Sequence, residues 1–358
     1  MNISILGAGN AGCAHAAMFT LRGHDVTLIK TSNSLHDENY NVIKKNNGIF
    51  LSHKNITNQF IPLKSITRNI KNGIQDADLI IIMTQTLYHH EISKKIKEHI
   101  TDRTKYIMSI PGYLGSLHYI DLENVILIEG ESTPYDARIT SPGHIQILFE
   151  NIRNAIGVYP EKYKEDALKL CKELTPAYHK TRSNIIESAL HNPNLVVHTI
   201  GAIMSASRIE YSKGEFWMYK EAFTPAIWNL IEELDNEKNK VISHYHGIPS
   251  PYVEECKYRN EVDLTQDAKQ VFEMYAATGG PKGPEDVNSR YIYEDVPKGL
   301  VLLETLAKIA NIPTPLATSL IEISSFLLSR NFRKDNQEEL SSFINSISNK
   351  NIFNKLVG

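Results

Sequence analysis

Four side chains in the second half of the chain are spaced so that they could do chemistry. Asn194 and His198 stand four apart, which puts them on one face of a helix. Their neighbours Leu195, Val196, Val197 and Ile200 are apolar, and a polar pair in such a run is costly unless it has partners or a task. An imidazole at His198 can give or take a proton near neutral pH. A hydrogen-bonded core histidine fits the same local sequence. The other two side chains lie in Ser289-Arg290-Tyr291-Ile292-Tyr293-Glu294-Asp295-Val296-Pro297-Lys298-Gly299-Leu300. Arg290 has the fork geometry to grip a substrate carboxylate, or is a surface arginine. Asp295 precedes Pro297, a residue suited to the first turn of a helix, so it is either an N-cap or a carboxylate that orients a histidine.

A second constellation opens the chain. The apolar residues 3–6 run into Gly7-Ala8-Gly9-Asn10-Ala11-Gly12, and a helical pattern follows. This is G-x-G-x-x-G between a strand and a helix, the context that makes the motif a dinucleotide fingerprint rather than an ordinary glycine-rich turn. Gly7 permits the tight turn, Gly9 lets a pyrophosphate approach, and Gly12 lets helix and strand pack closely. The N-terminus of the following helix offers free N–H groups and a positive dipole end to the phosphates, and Asn10 and Ala11 in the turn are cofactor-binding candidates with the glycines. An acidic residue usually ends the second strand and binds the ribose 2′-OH. Here that place reads Ile29-Lys30-Thr31-Ser32, one cation and two hydroxyls. The set favours NADP(H), with NAD(H) possible if Lys30 points to solvent; FAD ranks lower.

These groups need a scaffold. Residues 1–184 alternate strands and helices: strands at 3–6, 25–29, 48–51, 61–66, 79–83, 105–110 and 125–128, and helices at 14–22 and around Ile92, Ile96 and Ile100. The rhythm predicts a doubly wound parallel α/β sheet of Rossmann type, with ligands at the strand C-terminal ends and therefore at loops beginning with Gly7, Lys30, Thr84, Ser109 and Glu129. Residues 185–358 carry long helical patterns at 223–242, 268–275, 299–309 and 315–328, which predicts an all-α second domain. Residues 349–358 read as a peripheral tail. The loop Gly279-Gly280-Pro281-Lys282-Gly283-Pro284 reads as a substrate lid or a surface turn.

Composition excludes several classes. Net charge is −3, with 42% hydrophobic and 22% charged residues, so no basic field invites nucleic acid or an anionic membrane. Three scattered cysteines fit a reducing compartment rather than a disulfide framework or structural zinc. No apolar run could span a bilayer and no leader segment precedes the first strand, which fits a cytoplasmic protein. The histidines of His244-Tyr245-His246 do not share a helix face, so no metal site is expected.

Several blocks, read in order, carry a resemblance. They are the glycine turn, the run H-N-P-N-x-x-x-H from His191 to His198, Phe216-Trp217-Met218-Tyr219-Lys220-Glu221 before a long helix ending at His246-Gly247, the Arg290-to-Leu300 block, and Ile312-Pro313-Thr314-Pro315. Together they resemble the octopine/nopaline (opine) dehydrogenase family across nearly the whole chain. The resemblance implies a Rossmann domain joined to a helical domain, with the active site in the cleft between them. It implies NAD(P)H-dependent reductive condensation of an amino acid with an α-keto acid such as pyruvate, through an imine, to an N-(1-carboxyalkyl)amino acid. The family's catalytic histidine and aspartate match His198 and Asp295, and its substrate arginine matches Arg290. Ser132-Thr133-Pro134-Tyr135-Asp136-Ala137-Arg138 resembles the family loop T-L-P-Y-A-C-R near the keto acid, which makes Ser132 and Thr133 substrate-binding candidates beside Asn194. Ala137 in place of cysteine, and Thr199 where proline often follows the histidine, are departures. Substrates are the expected partners, and a homodimer is compatible with the chain. The competing readings are a two-domain hydroxy-acid or ketopantoate-type reductase and a non-catalytic NAD(P)-binding sensor. Many such reductases place a catalytic lysine near an asparagine on the first long helix, and residues 188–198 contain none. A His198–Asp295 separation beyond hydrogen-bond reach in a closed, cofactor-bound form would favour the sensor.

Overall fold

The computed structural model describes residues 1–357 apart from Asn33, Gly279 and Pro281, and divides them into two compact units that meet in sequence at Thr181 and Arg182. In the first unit the strands are β1 (Asn2–Leu6), β2 (Asp25–Ile29), β3 (Gly48–His53), β4 (Ile56–Pro62), β5 (Ser65–Thr67), β6 (Leu79–Ile82), β7 (Tyr106–Ser109), β8 (Ile126–Gly130), β9 (Tyr135–Ser141), β10 (His144–Glu150), β11 (Asn154–Tyr159) and β12 (Tyr178–Thr181). Eight of them form one sheet in the order β12-β11-β8-β7-β6-β1-β2-β5. From β8 to β5 every pairing is parallel, as the βαβ rhythm predicts; β11 runs antiparallel to β8. The continuous apolar run of β6 is buried throughout, as a strand covered on both faces must be. Ile5, Leu28, Ile81 and Met108 are fully enclosed, each such burial being worth about 1.5–3 kcal/mol.

Strand order changes direction at β1. The chain moves outward to β2 and β5, then returns to β6 on the other side of β1. Ligands of open α/β sheets bind at such a switch point, beyond the strand C-termini. Gly7 follows β1 there, and Thr84 lies two residues beyond β6.

A second, four-stranded sheet, ordered β4-β3-β10-β9, was not among the predicted elements. It takes residues 48–51 out of the parallel sheet, and the single strand expected over 61–66 is two, β4 and β5, in different sheets. Its β9 lies on the helix Asn10–Leu21, where Ile139 N donates to Asn10 Oδ1 at 2.8 Å.

The second unit contains only helices among the described residues. Pro225–His244 is its longest, burying Trp228, Ile231, Leu234, Val241 and Ile242 along one side. Its Glu237 accepts the N–H groups of Leu316 (2.7 Å) and Ala317 (2.9 Å), a carboxylate at the N-terminus of the helix Pro315–Leu327. The end of the chain is not a loose tail. Lys350–Val357 is a helix, with Leu356 buried and Phe353 edge-on to Tyr245. Amphipathic spacing of Ile352, Phe353 and Leu356 explains why it docks. Of the suspected lid, Gly279 and Pro281 lie outside the described residues; Gly283 N donates to Phe216 O at 2.8 Å and Lys282 pairs with Glu215.

Candidate active site

In the first unit the glycine turn has the shape a dinucleotide requires. Gly7 holds φ +121°, and a Cβ there would stand 2.7 Å from Met83 O. A Cβ on Gly12 would stand 1.7 Å from Gly7 O, so the helix can enter only with glycine. The helix Asn10–Leu21 begins after Gly9 with no side-chain cap and no acidic residue in its first turn. Its first N–H groups are thus left for an anion. Thr84 Oγ1 is buried without a hydrogen-bond partner at the same strand ends, a donor awaiting an acceptor. These features fit a dinucleotide. The Asn10 side chain is engaged with Ile139, which leaves its backbone N–H for that role.

Lys30 does not face solvent. It is buried, and its Nζ donates to Leu35 O at 2.6 Å and Ser32 Oγ at 2.6 Å, and pairs with Asp37 at 2.9 Å. Both readings of Lys30 from sequence, the free cation and the solvated one, give way to a staple that shapes the loop after β2. The half-exposed cation of this loop is Arg68, just past β5, 37% exposed. It donates to Ser32 O (2.7 Å) and Asp37 Oδ1 (2.8 Å) and lies over the Tyr40 ring. Thr31 and Ser32 are half-buried, and Ser32 Oγ also reaches Leu35 O at 3.0 Å. The ring of His36, absent from the sequence candidates, stands over Gly9.

Ser132 and Thr133 follow β8. Ser132 Oγ accepts from Asn151 Nδ2 at 3.5 Å, and Thr133 Oγ1 donates to Tyr135 O at 3.2 Å and lies 3.5 Å from His15 Nε2. His15 is enclosed on the helix Asn10–Leu21, and burial pulls its imidazole down to about 4, so it is neutral near pH 7. Glu129, at the end of β8, accepts the N–H groups of Leu114 (2.7 Å) and Ser116 (3.1 Å); burial pushes its carboxyl up to about 7.

In the second unit, the structure joins two of the predicted residues across 97 positions of sequence. His198 Nδ1 and Asp295 Oδ2 are 2.8 Å apart. Asp295 is 1% exposed and His198 13% exposed. The helix Asn194–Met204 places His198 at the edge of an otherwise buried apolar side, with Asn194 one turn earlier, its N–H held by Asn192 Oδ1 at 3.1 Å. Thr199, in place of proline, leaves the helix unbroken and returns its hydroxyl to Leu195 O at 2.6 Å. Asp295 makes no capping bond. It stands between a short helix, Arg290–Tyr293, and a π turn, Val296–Leu300. Pro297 lacks an N–H to continue an α ladder, and the wider turn accommodates this. With Nδ1 committed to Asp295, Nε2 is the nitrogen left for a reactant. Tyr291, four residues before Asp295, stacks on the imidazole at 3.7 Å between centroids and 4° between planes. Arg290 is half-exposed, its Nε 3.0 Å from the buried carboxylate of Glu294, which orients the guanidinium and leaves its terminal nitrogens for a ligand.

Tyr291, Arg68 and His36, which the structure sets beside candidate residues, are not among the sequence candidates. Only Tyr291 had a signal, its spacing of four from Asp295; the other two arrive from separate strands and turns.

Residues 181–328 match the family model for the NAD/NADP octopine/nopaline dehydrogenase alpha-helical domain, and residues 3–119 match that for ketopantoate reductase PanE/ApbA. An opine dehydrogenase of Arthrobacter sp. (strain 1C) is 28% identical over 93% of this chain and 92% of its own. Among solved structures, an octopine dehydrogenase with NADH and L-arginine superposes with a TM-score of 0.69 at 16% identity, covering 92% of this chain and 90% of that one. A yersinopine dehydrogenase with NADP+ bound gives 0.75 at 15% identity, over 96% and 95%. The ketopantoate reductase match is confined to the first unit, whereas residues 181–328, which hold His198 and Asp295, match the alpha-helical domain of octopine/nopaline dehydrogenases.

Proposed function

We propose that this protein is an opine dehydrogenase that uses His198 as its proton carrier and NADP(H) in preference to NAD(H). The reaction is reductive condensation of an amino acid with an α-keto acid. The amine adds to the keto carbon, water leaves to give an imine, and reduction yields a secondary amine bearing two carboxylates. The bound nicotinamide cofactor supplies the hydride. The glycine turn, the N-terminal N–H groups of the helix Asn10–Leu21 and the orphaned Thr84 hydroxyl would hold it.

The observation that carries the reading is the 2.8 Å His198–Asp295 bond within the opine-type helical domain. Asp295 fixes the ring and its tautomer, so that Nε2 can polarise the keto oxygen during condensation and return a proton as water leaves. Arg290, held by Glu294, neutralises a substrate carboxylate. Asn194, on the same helix as His198, offers a polar contact to a remaining substrate group.

The cofactor preference rests on Arg68 rather than on Lys30 directly. Two cations against one carboxylate surround the loop after β2, and Arg68 is the exposed one. A 2′-phosphate there finds a guanidinium that can rotate towards it.

The test is NADPH and NADH oxidation by the purified protein over a panel of amino acids with pyruvate, with keto-acid-only controls. Oxidation that needs the amine is the expected result. Oxidation with the keto acid alone would instead place the protein with hydroxy-acid reductases, a reading the ketopantoate reductase match of residues 3–119 keeps in view.

A further inference from the structure

The segment after residue 328 lies beyond the matched helical domain, yet it reaches back to the turn that carries Asp295. Its apolar residues Phe332, Leu340, Phe343 and Ile347 are buried and suffice to dock it. Two polar residues among them do something else. Asn336 and Glu339 are 5% and 8% exposed. Asn336 Nδ2 donates to Pro297 O at 2.9 Å, while Lys298 Nζ donates to Asn336 Oδ1 at 2.8 Å and to the Glu339 carboxylate. Pro297 and Lys298 are the second and third residues of the π turn, and Asp295 is the residue just before it.

We propose that Asn336 and Glu339 are positioning residues for the His198–Asp295 pair, acting through the clamp they place on Pro297 and Lys298. A π turn has poorer backbone geometry than an α turn, and Pro297 withholds one donor, so the backbone alone fixes this turn weakly. The clamp supplies what the ladder lacks: it holds one carbonyl and one side chain of the turn from outside. It also governs a charge. A buried ammonium needs a counter-ion, and Glu339 provides one. Without Glu339, the carboxylates at helical spacing from Lys298 are Glu294, engaged with Arg290, and Asp295. The ammonium would then draw Asp295 away from His198, and the 2.8 Å bond that orients the imidazole would lengthen.

This inference rests on His198 being the proton carrier, so its test includes a readout that does not depend on the reaction. In the full-length protein, Glu339→Gln should lower kcat for amine-dependent NAD(P)H oxidation about tenfold, with the cofactor KM within about twofold of wild type. In the same variant, without substrates, the NMR resonance of the His198 Nδ1 proton should move or broaden. Asn336→Ala keeps the Lys298–Glu339 pair, and should give the same pattern more weakly; it decides the matter if Glu339→Gln does not fold. Folded variants with wild-type kcat and an unmoved resonance overturn the proposal. So does a fall in kcat with the resonance unmoved, because the effect would then not pass through His198. A wild-type protein lacking amine-dependent oxidation would refute the function instead, and the resonance would still report on the clamp.

Discussion

Replacing Asp295 with asparagine removes one charge and almost no volume. The carboxylate is 1% exposed and lies 2.8 Å from His198 Nδ1, so the bond it makes is charge-assisted and shielded from water. A hydrogen bond to a charged group contributes about 1.5–3 kcal/mol, and at about 1.4 kcal/mol per factor of ten this predicts a fall in kcat of about 10- to 150-fold. The loss is larger if the amide turns its NH2 toward Nδ1, because that lone pair is then occupied and the ring can no longer become the imidazolium that donates from Nε2 and is stabilised by Asp295. Cofactor affinity should not change, since the glycine turn belongs to the other unit. Steady-state kinetics with saturating amino acid, keto acid and NADPH measure kcat, and fluorescence titration measures cofactor binding. A kcat within about threefold of wild type would show that Asp295 holds no reacting histidine.

Three further outcomes test other parts of the structure. Gly12→Ala would place a Cβ 1.7 Å from Gly7 O, and should abolish tight cofactor binding in a fluorescence titration; wild-type affinity would mean the turn is not the cradle. Arg68→Ala should raise KM for NADPH about 10- to 100-fold and leave KM for NADH nearly unchanged, whereas Lys30→Ala should mainly lower the thermal midpoint by undoing the loop staple; equal effects on both cofactors from Arg68→Ala would remove the 2′-phosphate argument. His15 has its pKa depressed from 6.5 to about 4, so the unfolded chain binds the proton first. Its contribution to stability is full above about pH 6.5 and is lost as pH falls toward 4, by at most about 3 kcal/mol. Glu129, raised from 4.5 to about 7, acts in the opposite sense, its contribution being lost as pH rises through that window. The comparison is therefore wild type against His15→Gln, by urea midpoints at pH 7 and 4.5; identical losses in both would show that His15 is not the group responsible.

What could be read from sequence follows the range of the forces involved. The glycine turn was legible because its demands are local: one positive φ, one close approach, one uncapped helix end. The parallel sheet was legible in β6, whose unbroken apolar run admits few other fates. The small sheet was not, although Ala137 and Ile139, then Ile145 and Ile147, alternate around a Pro142-Gly143 turn. Its β10 pairs in parallel with β3, about a hundred residues away, and no local pattern announces such a partner. Arg68 was invisible for the same reason: it reaches the loop after β2 only because β5 lies beside β2. The pairing of His198 with Asp295 came from the order of motifs and not from spacing. A cation after β2 looks the same in sequence whether it faces a ligand or holds its own loop, and only the structure shows Lys30 bonded to Ser32, Leu35 and Asp37.

The stacking of Tyr291 on His198 has an entropic consequence. A free imidazole rotates about two side-chain torsions. Here one ring nitrogen is tethered and one ring face is covered in near-parallel contact, so both torsions are fixed in the folded protein before any substrate arrives. The freedom that a proton carrier must give up, of order 1 kcal/mol, is surrendered during folding and does not reappear as part of the activation barrier.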